Sequence, residues 1–136
     1  MSIARAVRGL YQRLASDDSP DSTIPASTEQ VLFLLKNKRR RLVVQELAET
    51  ESPIRLRNLT ARVTARQHDG DYSTDQRKAV YCALYQSHLP KLDDAGLVDF
   101  NSERGTVSYT HDVIADIATL LARIENATAD RTGGDD

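Results

Sequence analysis

His88-Leu89-Pro90-Lys91-Leu92-Asp93-Asp94-Ala95-Gly96-Leu97-Val98-Asp99-Phe100 is where the chain changes its period. Before Gly96, Leu89 and Leu92 recur at helical spacing; after it, Leu97 to Phe100 alternates as a strand does. Leu89 and Leu92 are placed to anchor a helix end in the core, and Gly96 to supply the left-handed backbone that reverses the chain. Pro90 cannot donate to a helical ladder and clashes with the preceding turn, so it must kink or restart the helix. A second alternating run, Thr106-Val107-Ser108-Tyr109, follows the turn residues Asn101-Ser102-Glu103-Arg104-Gly105. The pair predicts a β-hairpin over 97–109.

Upstream, Ser73 and Gln76 have capping-box spacing and open a helix over about 74–95. Its apolar residues are Ala79, Val80, Ala83 and Leu84, while Arg77, Tyr81, Tyr85 and, one turn on, His88 or Leu89 lie along another side. His68-Asp69-Gly70-Asp71 is a loop by composition, and Leu56, Leu59 and Val63 mark a helix before it. Pro53 breaks what precedes, leaving residues 54–56 as a short extended connection. Ser27 and Gln30 form another capping box ahead of Val31-Leu32-Phe33-Leu34-Leu35, and Asn37 can end that helix and cap the next. Residues 38–50 then carry Leu42, Val43, Leu47 and Ala48 on an apolar side. Lys38, Arg39, Arg40 and Arg41 crowd the first turn of that helix, against its positive end. A phosphate backbone would relieve the conflict; a solvated basic turn is the plainer alternative.

At the ends of the chain, Val113, Ile117, Leu120, Leu121 and Ile124 predict a helix over 112–126, and Ile3, Val7, Leu10 and Leu14 an amphipathic one over 3–15. The expected divisions are an N-terminal arm helix (1–15), a flexible linker (16–26), a folded domain (27–110), a C-terminal helix able to pair two chains (111–127) and an acidic disordered tail (128–136). The fold class is mainly α with a small β-hairpin wing. Helices followed by a hairpin is the order of a winged helix-turn-helix, here with an N-terminal arm helix and a C-terminal helix.

The 136 residues suffice for about one domain. With 40% apolar and 5% aromatic residues and no Trp, the core must be aliphatic. One Cys forms no internal disulfide, and no apolar run reaches the roughly 18 residues of a membrane span. A cytoplasmic protein is expected, with at most surface contact to a membrane by residues 3–15. Net charge is only −2, yet residues 36–91 carry 12 cations against 6 anions and residues 92–136 carry 3 against 10. Arg outnumbers Lys 14 to 4 and Asp outnumbers Glu 14 to 6, a bias of the kind halophilic proteins show.

The run HLPKLDDAGLV at residues 88–98 resembles the helix end and first wing strand of ArsR-like winged-helix regulators, where HL-x-x-L-x-x-A-G-L-V is common. Together with Asn37-Lys38-Arg39-Arg40-Arg41 and YCALYQSHLP at residues 81–90, it resembles the haloarchaeal winged-helix domain family labelled DUF7344, over roughly residues 28–110. The resemblance implies double-stranded DNA as the partner and a regulatory role; a homodimer is expected from the apolar Leu120, Leu121 and Ile124 side and the N-terminal stripe, which could pair two chains. Pro90 departs from the ArsR pattern, so a face of the helix is named rather than individual base contacts.

On that reading Arg77 and Lys78 enter the major groove, with Gln76, Tyr81 and Tyr85 as further hydrogen-bonding groups. Arg39, Arg40, Arg41, Arg55 and Arg62 would hold phosphates, and Arg104 would reach a phosphate or the minor groove from the wing tip. The plainer readings are that the tyrosines cover the core and that Arg62 and Arg66 form a solvated face. In salt near 1 M, with screening over only about 3 Å, such binding depends on close hydrogen bonds and shape. Cys82, His68, His88 and His111 lack metal-ligand spacing, and Cys82 is expected to be a small buried thiol. No nucleophile elbow, phosphate-cradling loop or HExxH segment occurs, so neither enzyme nor cofactor is expected. The rival is a winged-helix adaptor that pairs proteins through the Leu120, Leu121 and Ile124 side and never touches DNA.

Overall fold

The structure, a computed structural model, describes residues 24–133, with side chains through residue 128. The expected arm helix, residues 16–23 of the linker and residues 134–136 lie outside the described residues.

Three helices begin where a short polar side chain precedes the apolar period. Helix α1 (Thr28–Leu35) starts at Ser27 and α4 (Thr74–Ala83) at Ser73; in both, the serine hydroxyl accepts from the third helical amide and a glutamine returns the bond, completing the capping box. Helix α2 (Lys38–Ala48) is capped by Asn37, whose side chain accepts from the Arg40 N–H at 3.1 Å. Between α2 and α3 (Leu56–Gln67), Ile54–Arg55 is strand β1. Past α4 come a π-helical turn (Leu84–His88), α5 (Leu89–Asp94), β2 (Asp99–Asn101), β3 (Thr106–Ser108) and α6 (His111–Gly133).

The domain is therefore mainly helical with a small antiparallel hairpin, as expected. The sheet has a third member: the order is β1-β3-β2, with Ile54 and Phe100 both opposite Val107. Two residues of strand leave no alternation to read, so the expected extended connection gains its partner only from tertiary pairing. Gly96, at φ +81°, ends α5 as expected: the Leu97 N–H reaches back to the Leu92 carbonyl at 3.0 Å.

Pro90 restarts the helix through the π turn. The Leu89 N–H bonds the Leu84 carbonyl five residues back, and Pro90 then sits in the first turn of α5, where no amide is required. The extra residue rotates everything after it. Leu84, His88, Leu89 and Leu92 all turn into the core, so His88 and Leu89 do not continue the exposed side of Tyr81 and Tyr85 as the sequence spacing suggested. The core is aliphatic, built on Leu47, Leu56, Leu59, Leu84, Leu89, Leu92, Leu97, Ile114 and Ile117.

Helix α6 lays Val113, Ile114, Ile117 and Leu121 inward and packs on α2. It runs to Gly133, past the expected end at 127. An acidic run without an apolar stripe read as tail, yet residues 127–132 contain no breaker, and the Thr128 hydroxyl donates back to the Ile124 carbonyl at 3.0 Å.

Arg40 is buried at 4% exposure, and its guanidinium closes the carboxyl end of α1. It donates from Nε to the Leu34 carbonyl at 2.7 Å, from Nη2 to the Phe33 carbonyl at 3.2 Å, and from Nη1 toward His88 Nδ1 at 3.4 Å. An arginine cannot accept, so His88 Nδ1 is the acceptor and the imidazole is neutral. Burial, and then the charges of Arg40, Arg39 and Lys91, hold the His88 pKa down to about 4.

An unfolded histidine protonates near pH 6.5, so between about pH 6.5 and 4 the unfolded chain binds the extra proton. Stability from this group is complete above that window and is lost as pH falls through it, by up to about 1.4 kcal/mol per pH unit. His88→Gln keeps an acceptor for Arg40 but does not titrate. Its urea-unfolding free energy is expected to fall less steeply than that of the natural chain over that range.

Candidate nucleic-acid interface

Helix α4 buries only Val80. Its first two turns project Thr74, Arg77, Lys78 and Tyr81 into a cleft of about 440 Å³, shared with Arg55, Leu56, Arg57 and Thr60 from the start of α3 and Arg104 and Gly105 from the hairpin tip. Five of these ten lining residues are cations and none is a carboxylate. Among the described residues, Arg55, Arg57, Arg77, Lys78 and Arg104 make no ion pair and no side-chain hydrogen bond. Five uncompensated charges on one concave surface make a strong local field for an anion.

Backbone contacts join the start of α3 to the hairpin, and ring contacts through Tyr81 and Tyr85 join α4 to the hairpin. Arg55 pairs with Thr106 across β1 and β3, and the Leu56 N–H donates to the Gly105 carbonyl at 2.7 Å, pinning the hairpin tip to the first turn of α3. The tip is shaped by Asn101, whose side chain accepts from the Arg104 N–H at 2.9 Å, and by Gly105 at φ +69°. From α4, Tyr81 stacks on Tyr85 with centroids 6.1 Å apart, and Tyr85 meets the edge of Phe100 in β2 at 5.8 Å. Both tyrosines remain about two-fifths exposed, at 42% and 40%, forming an aromatic row from helix to hairpin rather than a lid on the core.

The sequence-predicted residues separate into two groups. Arg55, Arg77, Lys78, Tyr81 and Arg104 come together in the cleft, with Tyr85 beside it. Gln76 does not present its side-chain oxygen to a partner, since that atom accepts from the Ser73 N–H at 2.8 Å. Three of the four cations in the basic turn of α2 are engaged within the fold. Arg40 is buried, Arg41 donates to the Leu35 carbonyl at 2.8 Å and faces Glu125 at 3.9 Å, and Arg39 donates to Gln67 at 3.0 Å. The negative carboxyl end of α1 thus relieves the crowding at two of the four cations, Arg40 and Arg41.

Arg62 is likewise committed. Glu46, almost fully buried, accepts from Arg62 Nε at 2.8 Å with one oxygen and from Arg66 Nε with the other, tying α3 to α2. Arg62 and Arg66 are therefore a clamp on a buried carboxylate as well as partly exposed side chains. Cys82 is exposed on α4, not buried as expected, because the inward positions there are taken by Val80 and Leu84.

The sequence model of a domain of unknown function, DUF7344, matches residues 32–108, more than half of the chain. The chain belongs to the DUF7344 family. No curated protein and no solved structure matches it. The DUF7344 match runs from within α1 to the end of β3, so it contains every residue of the cleft. Sequence reasoning missed five members of that DUF7344 cleft, Leu56, Arg57, Thr60, Thr74 and Gly105. Arg57 carried a usable signal, since it lies two residues from Arg55 at a helix start that has no acid in its first turn. Among the described residues no helix is long and apolar enough to cross a membrane.

These assignments separate under mutation. Arg77→Ala with Lys78→Ala should leave unfolding free energy within about 0.5 kcal/mol of the natural chain, as expected for exposed side chains without partners. Glu46→Ala strips two arginines of a buried acceptor and should cost about 1–3 kcal/mol in the same urea titration.

Proposed function

We propose that this DUF7344 domain is an ArsR-like winged helix-turn-helix that binds double-stranded DNA and acts as a cytoplasmic transcriptional regulator. The observation that carries the reading is the carboxylate-free cleft of five unpaired cations beside α4, a helix that buries only Val80. A helix so little committed to its own core can enter a major groove. Arg77 and Lys78 at its start then reach base edges, and Tyr81 and Tyr85 extend the contact along the same side. Arg55 and Arg57 neutralise backbone phosphates, and Arg104 at the hairpin tip lies on the adjacent backbone or minor groove.

A second surface favours pairing of two chains. A groove of about 300 Å³ is lined by Leu32, Leu35, Leu121 and Ile124 together with Lys36, Arg41, Glu125 and Thr128, and Leu32, Leu120 and Ile124 are roughly half exposed. We infer a two-fold homodimer through this face, presenting two α4 helices to a palindromic site. If the duplex reading fails, the same face supports the adaptor reading.

Fluorescence anisotropy of genomic duplex fragments across a salt series tests the proposal. Binding is expected to weaken linearly in log affinity against log salt. Arg77→Ala with Lys78→Ala should abolish it, and Arg55→Ala or Arg57→Ala should each reduce the slope by about 1. Arg39→Ala, outside the cleft, should leave the slope unchanged. Absence of duplex binding, or binding indifferent to Arg77 and Lys78, would leave the adaptor as the better reading.

A further inference from the structure

Thr60 lies in the same cleft with 1% of its surface exposed, and its Oγ1 is buried without any hydrogen-bond partner. Thr64, one turn further along α3 and equally buried, shows what a helical threonine ordinarily does: its hydroxyl donates back to the Thr60 carbonyl at 2.6 Å. Thr60 makes no such bond. A buried hydroxyl without a partner is unfavourable unless something supplies one, which makes it a pointer to a ligand.

The surroundings state the chemistry of that ligand. Arg55 stands at the N-cap of α3 and gives no side-chain cap, the first turn holds no acid, and Leu56 and Arg57 of that turn line the cleft. A twelve-residue helix thus directs its positive end toward five unpaired cations and one unmatched hydroxyl. A carboxylate would satisfy little of this. A phosphate group, with several terminal oxygens and more charge, accepts from hydroxyl, amide and guanidinium together.

We propose that the cleft is a seat for one phosphate group, with the Thr60 hydroxyl, buried beneath the floor, turning up to donate as the anion enters. The arginine side chains turn from solvent onto the anion as it reaches that floor. At about 440 Å³ the cleft exceeds the needs of a bare phosphate, so the group arrives as an ester, either the phosphodiester of a nucleic-acid backbone or the monoester of a small phosphorylated ligand. A small ester there would compete with DNA, and that consequence rests on the duplex reading. The seat itself does not.

The test titrates the ¹⁵N-labelled full chain, without DNA, with inorganic phosphate, phenyl phosphate and dimethyl phosphate at constant ionic strength against chloride. Saturable shifts are expected at the amides of residues 55–60, 77–78 and 104–105. Thr60→Val should weaken phosphate about tenfold, the scale of one hydrogen bond to a charged group, while melting no lower than the natural chain. Thr60→Ser, which keeps the hydroxyl, should retain affinity within about twofold. Binding of the diester assigns the seat to a nucleic-acid backbone, and binding of the monoesters alone assigns it to a free ligand. Equal affinity in Thr60→Val and the natural chain, or shifts that follow ionic strength without saturating, overturns the proposal. Phosphate binding without duplex binding overturns only the DNA reading, and duplex binding with an unchanged Thr60→Val response overturns only this one.

Discussion

A single buried guanidinium joins the amino-terminal half of the domain to the helix that forms the cleft. Arg40 rises from the first turn of α2, takes the last carbonyls of α1 and reaches His88 in the π turn. A buried charge is tolerated only where its donors are met, and here they are met by carbonyl dipoles and a neutral imidazole instead of a carboxylate. The angle between α1 and α2, the neutrality of His88 and the seating of the π turn therefore depend on one another. Loss of Arg40 leaves both the α1 carbonyls and His88 Nδ1 without their donor.

The π turn sets the direction of the rest. Its extra residue lets Leu84, His88, Leu89 and Leu92 face inward on both sides of Pro90, so α5 can anchor while α4 projects. An uninterrupted α-helix through the same residues would put the two halves in one phase, and the exposed row of Tyr81 and Tyr85 would be continued by residues the core needs. The hairpin is held by β1, by the bond from Leu56 to Gly105 and by the Phe100 N–H donating to Asp93 Oδ2 at 3.0 Å, and this brings Arg104 across from Arg77 and Lys78.

Basic residues close in sequence thus have opposite fates. Arg39, Arg40, Arg41, Arg62 and Arg66 serve as caps and cross-links, held by carbonyls, Gln67, Glu46, Glu49 and Glu125. Arg55 and Arg57, Arg77 and Lys78, and Arg104 come from three separate stretches of sequence and meet on one surface with no carboxylate in its lining. A net excess of positive charge in the middle of the chain therefore overstates the charge free to meet a partner. The cleft, rather than the basic run, is where electrostatic attraction is concentrated.

The sequence by itself determined what local chemistry controls. Capping boxes at Ser27 and Ser73, the Asn37 cap, the reversal at Gly96 and the alternation across Asn101 to Gly105 all act within a few residues, and the structure has each of them. Aliphatic periodicity likewise named the core residues of α3 and α5; in α6 it found Val113, Ile117 and Leu121 but missed the buried Ile114 and included Leu120 and Ile124, which are half exposed. Tertiary structure alone decided which cations are free, because only packing set Arg40 beneath α1 and Glu46 between Arg62 and Arg66. It decided that residues 54–55 form a strand, since a two-residue segment has no period and is defined by its partner. It also left the Thr60 hydroxyl unmatched in the basic cleft, for hydrogen-bond satisfaction depends on neighbours brought from distant parts of the chain.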